Sequence, residues 1–282
     1  MSDLPSANDE HDAWTAYFRR YDRITLVANS EDVSREALEA QPDGTLFVFF
    51  NRVFKVLDRP FERSSLLVAR CSNIGTNLVY RGEQNKVLPL VSTGHFDGVV
   101  MLRAASHERP DSGGAFAPHA VSALDLTSWF DGIYPLGNVP TSGFSLAAWL
   151  TAEVPNLPVQ LAGFSSKRSD KWKLFDVHDW TYEQIALAAL IRAGRLSRLD
   201  VERPEWPLHD LLARYPDVDH PDSTAIAEVL AARLRGTNLL VDRIWSQLKP
   251  IRAVDNWLRS LKPKKRRDKI AEAQARKERK GE

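Results

Sequence analysis

One cysteine, Cys71, in 282 residues excludes an intramolecular disulfide and a multi-cysteine metal site, and it suits a reducing compartment. Long apolar runs are also missing: no window approaches the roughly 18 consecutive apolar residues of a membrane span. The opening stretch, MSDLPSANDEHDAW, is polar and acidic and lacks the basic-then-apolar order of a secretory signal, so a cytoplasmic protein is expected. Neither sign of charge dominates, with 38 Lys and Arg against 37 Asp and Glu, and the field of the whole chain therefore selects no class of partner. No two histidines have the short helical spacing of a zinc site, so neither a metal nor another cofactor is expected. What is present is ordinary for a soluble globular protein, 43% apolar and 27% charged, in a length that suits one or two domains.

Short apolar runs bounded by turn signals predict strands buried on both faces at residues 23–28 (RITLVA), 45–50 (TLFVFF) and 65–69 (SLLVA). Residues 87–91, 99–103 and 159–164 are further candidates. Helices are expected at residues 31–41, 123–134, 143–154 and 181–196, the third with Ser142 as N-cap and Pro155 as its stop. Strands alternating with helices predict an α/β protein with a Rossmann-like, mainly parallel sheet. Residues 107–119, rich in Pro, Gly and Ser, are read as a functional loop. The expected organisation is an N-terminal arm (1–20), a nucleotide-sugar-binding domain (21–198), a helical C-terminal region (199–261, with helices at 223–235, 238–248 and 251–261) and a basic tail (262–282).

Four constellations can carry chemistry. In doubly wound sheets, ligands sit outside the carboxyl ends of the strands. Asn29 and Ser30 follow the first strand and precede a helix whose N-terminus would attract phosphate; either residue can equally be a helix cap. Asn51 ends the second strand at the same edge, or is a turn asparagine. Thr141, Ser142 and Gly143 open a helix with exposed N–H groups and hydroxyls, where Gly143 allows close approach to the backbone; capping alone also accounts for Ser142. His178 and Glu183, spaced H-x-x-x-x-E, lie before and within a helix. The imidazole suits a general base, although Asp179 as a cap beside a bystander His178 is the alternative. Asp217-Val218-Asp219 is read as a solvated loop rather than a metal-diphosphate motif, and Ser112-Gly113-Gly114 lacks the lysine of a phosphate loop.

In this order the four pieces resemble the sialyltransferases of glycosyltransferase family 29 and their bacterial relatives, over residues 24–190. Val27-Ala28-Asn29-Ser30 and Phe49-Phe50-Asn51-Arg52 resemble the two ends of the long motif. Residues 140–164 are similar to the short motif, a Pro-Thr-Ser-Gly turn, an apolar helix and a strand ending Gly163-Phe164, and His178 to Glu183 matches the very-short motif. Ala28 stands where the family has Gly, and the family's disulfide and histidine-bearing third motif have no counterpart; Lys167, Arg168, Lys171 and Lys173 fill that interval. The resemblance implies a GT-A-like variant of the fold. It also implies inverting, metal-independent transfer of a keto-sugar acid, sialic acid or Kdo, from a CMP-activated donor to a glycan or lipid-linked glycan. Asn29, Ser30 and Asn51 would then hold the phosphate and ribose of CMP, and Thr141, Ser142 and Gly143 would face the nucleotide. His178 would be the base, with Glu183 and Lys171 in support.

From Arg259 the chain carries eleven Lys and Arg against four Asp and Glu. Such a tail can bind an anionic inner-membrane surface near lipid-linked acceptors, or simply solubilise the protein. It lacks interleaved aromatics, so nucleic acid is not an expected partner. The alternative to an enzyme is a non-catalytic nucleotide- or glycan-binding protein with the same fold.

Overall fold

The computed structural model describes residues 4–6, 11–71, 77–93, 95–110, 113–164 and 177–199. Among these residues seven strands make one sheet: β1 (Arg23–Val27), β2 (Thr45–Phe50), β3 (Ser65–Arg70), β4 (Phe96–Arg103), β5 (Val121–Asp125), β6 (Val159–Ala162) and β7 (Ser197–Arg198). Every pairing is parallel, in the order β5-β4-β3-β2-β1-β6-β7.

The uninterrupted apolar strands follow from this architecture, because a parallel sheet is covered on both faces. Along β2, Leu46, Val48 and Phe50 enter one core with α1 (His11–Phe18), α5 (Ser142–Glu153) and α6 (Trp180–Arg192). Phe47 and Phe49 alternate into the other core, against α2 (Arg35–Glu39), α3 (Leu78–Arg81) and α4 (Gln84–Val91). The result is a three-layer α/β arrangement of Rossmann-like type. Its strand order reverses between β1 and β6, both paired along their length with Val27 opposite Ala162, so the topological switch point lies just beyond these two residues.

Several expected elements differ. The helix expected at 31–41 is shorter: it begins at Arg35, capped by the Ser34 hydroxyl, which accepts from the Ala37 N–H. Residues 87–91 are the end of α4 rather than a strand, with Val87, Leu88 and Val91 buried on one side at helical spacing. Residues 123–134 are not a helix. The stretch from Val121 to Asp125 extends along β4, and turns follow it. Within the expected N-terminal arm, α1 buries Trp14, Tyr17 and Phe18, a large aromatic contribution to the core. The helix expected at 181–196 stops at Arg192, and strand β7 follows at Ser197. The expected C-terminal helices, Asp217-Val218-Asp219, the basic tail and the lysine-rich interval of Lys167, Arg168, Lys171 and Lys173 lie outside the described residues. No helix among the described residues is long and apolar enough to cross a membrane.

Candidate functional site

Because all strands run the same way, their carboxyl ends share one edge, and most of the expected site residues gather there. Asn51 follows β2 with a left-handed backbone, φ 44°, a conformation that asparagine tolerates better than most residues. Its side-chain oxygen accepts the backbone N–H of Arg70, at the end of β3, at 2.9 Å. Asn29, after β1, donates from Nδ2 to the Phe50 carbonyl at 2.7 Å. Both asparagines therefore lace neighbouring strand ends together, a use of the amide that the sequence pattern does not reveal.

Ser30 caps no helix. Its hydroxyl lies 3.4 Å from an Asp32 carboxylate oxygen, and α2 starts four residues later at its own cap, Ser34. The loop after β1 instead folds over Gly163, which follows β6 with φ 72°; a Cβ there would lie 2.4 Å from Val33 Cγ2 and 2.9 Å from Ser30 Cβ. Two carboxylates, Glu31 and Asp32, stand in that loop. No helix begins at this turn, contrary to the expectation of a helix N-terminus there.

The positive end of a helix dipole at this edge belongs to α5. Thr141, not the expected Ser142, is its N-cap: the hydroxyl accepts from the Phe144 N–H at 3.2 Å and the Thr141 carbonyl accepts from Ser145 N–H at 2.8 Å. Ser142 is buried in the first turn. The space that the missing Cβ of Gly143 leaves is taken by the Phe164 ring, 2.7 Å from where that atom would be. A side chain of this chain makes the close approach expected of a ligand.

The segments that enter α5 and α6 are tied to each other. Val139 N–H donates to the Val177 carbonyl at 2.8 Å, and His178 Nδ1 lies 2.5 Å from the Val139 carbonyl oxygen. A carbonyl can only accept, so the proton is on Nδ1 and the neutral ring carries its lone pair on Nε2, the arrangement a general base requires. Burial lowers the His178 pKa below its ordinary 6.5; the Val139 bond opposes this, the nearby Arg70 charge adds to it, and Glu108 opposes it. Asp179 does cap α6, accepting from the Tyr182 N–H at 2.9 Å.

Glu183, 3% exposed, points back from the first turn of α6 to the cap of α5. Its carboxylate accepts from Thr141 N–H and Thr141 Oγ1, each at 2.7 Å, and from the Tyr134 hydroxyl at 2.9 Å. That hydroxyl in turn accepts the Asp179 N–H at 3.1 Å. Burial raises the Glu183 pKa against the lowering effect of these bonds, and burial beside Glu183 raises that of Tyr134. The H-x-x-x-x-E spacing thus has a physical basis: one residue before the cap fixes the imidazole, and the glutamate one turn later locks the two helix starts together.

The pattern reading missed the residue that joins these pieces. Arg70 is 7% exposed and Glu108 is 4% exposed. Arg70 Nε donates to Glu108 Oε1 at 2.6 Å and Nη1 donates to the Pro140 carbonyl at 2.9 Å. The other Glu108 oxygen holds the backbone N–H groups of Ala104 and Ala105 at 3.0 and 3.1 Å. From Asn51 to His178 the link runs through Arg70, Pro140 and Val139, so asparagine and imidazole belong to one hydrogen-bonded edge. The signal was available: Arg70 ends an apolar strand with a polar side chain, as Asn51 is adjacent to β2. No group of three or more His, Cys, Asp or Glu side chains is gathered as a metal site among the described residues.

No protein-family model, curated protein or solved structure matches the chain.

Proposed function

We propose that the protein is a CMP-sugar-dependent glycosyltransferase, a GT-A-like variant of the sialyltransferase type, which moves sialic acid or Kdo from CMP to a glycan hydroxyl with inversion. The observation that carries this reading is His178, with Nδ1 held by the Val139 carbonyl and Nε2 left basic at the carboxyl edge of the sheet. In the reaction, the acceptor oxygen bonds to the anomeric carbon and gives its proton to His178 Nε2. The bond from that carbon to the phosphate oxygen breaks, and CMP leaves with the electron pair. The N-terminus of α5, with Thr141, Ser142 and Gly143, is suited to the developing phosphate charge. Asn29, Ser30 and Asn51, at the ends of β1 and β2, would hold the phosphate and ribose of CMP. Glu183 holds the two helix starts in register, and Lys171 remains a candidate for the leaving phosphate.

Replacing His178 with alanine is expected to abolish transfer, by roughly 100- to 10,000-fold, while CMP binding is kept. Full turnover in that variant refutes the role of His178. A second reading, a non-catalytic nucleotide- or glycan-binding protein, is favoured by one observation: Phe164 packs on Gly143 and the loop after β1 packs on Gly163, so parts of the edge are filled by the chain itself. Binding of CMP without donor turnover supports that reading. The basic tail would bring the enzyme to an anionic inner-membrane surface and a lipid-linked acceptor, which flotation with anionic vesicles, with and without residues 262–282, tests.

A further inference from the structure

Arg70 has three side-chain nitrogens and uses two. Nε is spent on Glu108 and Nη1 on the Pro140 carbonyl, whereas Nη2 is buried with no hydrogen-bond partner among the described residues. A buried guanidinium N–H without an acceptor is costly and uncommon in folded proteins. The place is also specific. Pro140 directly precedes Thr141, the N-cap of α5, so this guanidinium stands at the start of a twelve-residue helix. There the N–H groups of Ser142 and Gly143 have no intrahelical acceptor. Arg70 Nη1 and His178 Nδ1 bond the adjacent carbonyls of Pro140 and Val139, which brings the guanidinium near the proposed base. Two independent features therefore converge on one spot, a helix N-terminus and a positively charged donor lacking an acceptor, and both call for an oxyanion.

We infer that Arg70 Nη2 takes the carboxylate of the donor sugar, beside the phosphate at the first turn of α5, and so makes Arg70 the residue that selects a keto-sugar acid over a neutral sugar. This rests on the glycosyltransferase reading. The chemistry favours the carboxylate over the phosphate: in a keto-sugar acid the carboxylate is attached to the anomeric carbon itself, the atom the acceptor attacks under His178. The leaving phosphate lies on the opposite side of that carbon in an inverting displacement. A cation next to the base therefore meets the carboxylate. Glu108 holds the guanidinium in place through Nε and keeps the charge of the pair balanced when no ligand is bound.

The test is calorimetric, on the 282-residue chain. CMP, CMP-N-acetylneuraminate, CMP-Kdo and the methyl esters of both sugar nucleotides are titrated into wild type and Arg70→Lys, which keeps the charge facing Glu108 but loses the planar fork. The expected result is that wild type binds the free acids more tightly than the esters by roughly ten- to a hundred-fold. Arg70→Lys loses that preference and keeps its affinity for CMP. Equal binding of acid and ester by wild type overturns the inference, and needs no variant to fold. Equal loss of CMP and sugar nucleotide in a folded Arg70→Lys assigns the guanidinium to the phosphate and likewise overturns it. Failure of wild type to bind CMP or either sugar nucleotide removes the glycosyltransferase reading itself, a result distinct from tight CMP binding with no acid preference.

Discussion

Glu183 gives the most direct energetic test of how the site is held. Truncation to alanine removes the acceptor of the Thr141 N–H, the Thr141 hydroxyl and the Tyr134 hydroxyl. The hydroxyls can turn toward other acceptors, but the backbone N–H cannot, and each buried donor left unpaired costs about 1–3 kcal/mol. Removing a buried carboxylate returns part of this loss, so Glu183→Ala is expected to destabilise by about 2–4 kcal/mol. Glu183→Gln keeps an acceptor oxygen and is expected to cost about 1 kcal/mol. Urea unfolding followed by tryptophan fluorescence measures both. The pH dependence has a definite sign. Burial raises the folded-state pKa of Glu183 above its ordinary 4.5, so the folded chain holds that proton more tightly than the unfolded one. The resulting stability is fully present below the unfolded pKa and is lost as pH rises through the folded pKa. Wild type therefore loses ground relative to Glu183→Gln as pH is raised from 4 through the folded pKa. A Glu183→Ala variant within about 0.5 kcal/mol of wild type, the range of an ordinary surface change, refutes the idea that this carboxylate joins α5 to α6.

Three further outcomes are expected. Gly163→Ala forces a side chain into φ 72° with its Cβ 2.4 Å from Val33, and should destabilise by about 1–3 kcal/mol in the same unfolding assay; Gly143→Ala meets a half-buried Phe164 ring and should cost less. The acid limb of the pH–rate profile for transfer should fall below pH 6.5, since burial and Arg70 keep His178 neutral, and a limb above 6.5 contradicts the environment described for the imidazole.

The sheet was legible because parallel strands covered on both faces leave unbroken apolar runs, as in TLFVFF and SLLVA. The misreadings came from short segments in which length and composition do not separate states: Val87 to Val91 has strand-like residues but buries them at helical spacing, and Ala123-Leu124 lies on an edge strand set by pairing with β4. The site was legible wherever a polar residue interrupts a turn next to a strand end or helix start. Asn29, Asn51, Thr141, His178 and Glu183 are all of this kind. What the pattern could not show is that each amide and carboxylate is already engaged with the backbone of a distant segment. Arg70 and Glu108 escaped because their meaning lies in a buried pair 38 positions apart along the chain, which no local spacing encodes.

The central claim is that this carboxyl edge is shaped for a cytidine nucleotide, and isothermal titration of the 282-residue chain with CMP, UMP and GDP tests it most directly. The account predicts one CMP per chain, bound at least about ten-fold more tightly than UMP or GDP. No detectable CMP binding, or equal binding of all three nucleotides, contradicts it.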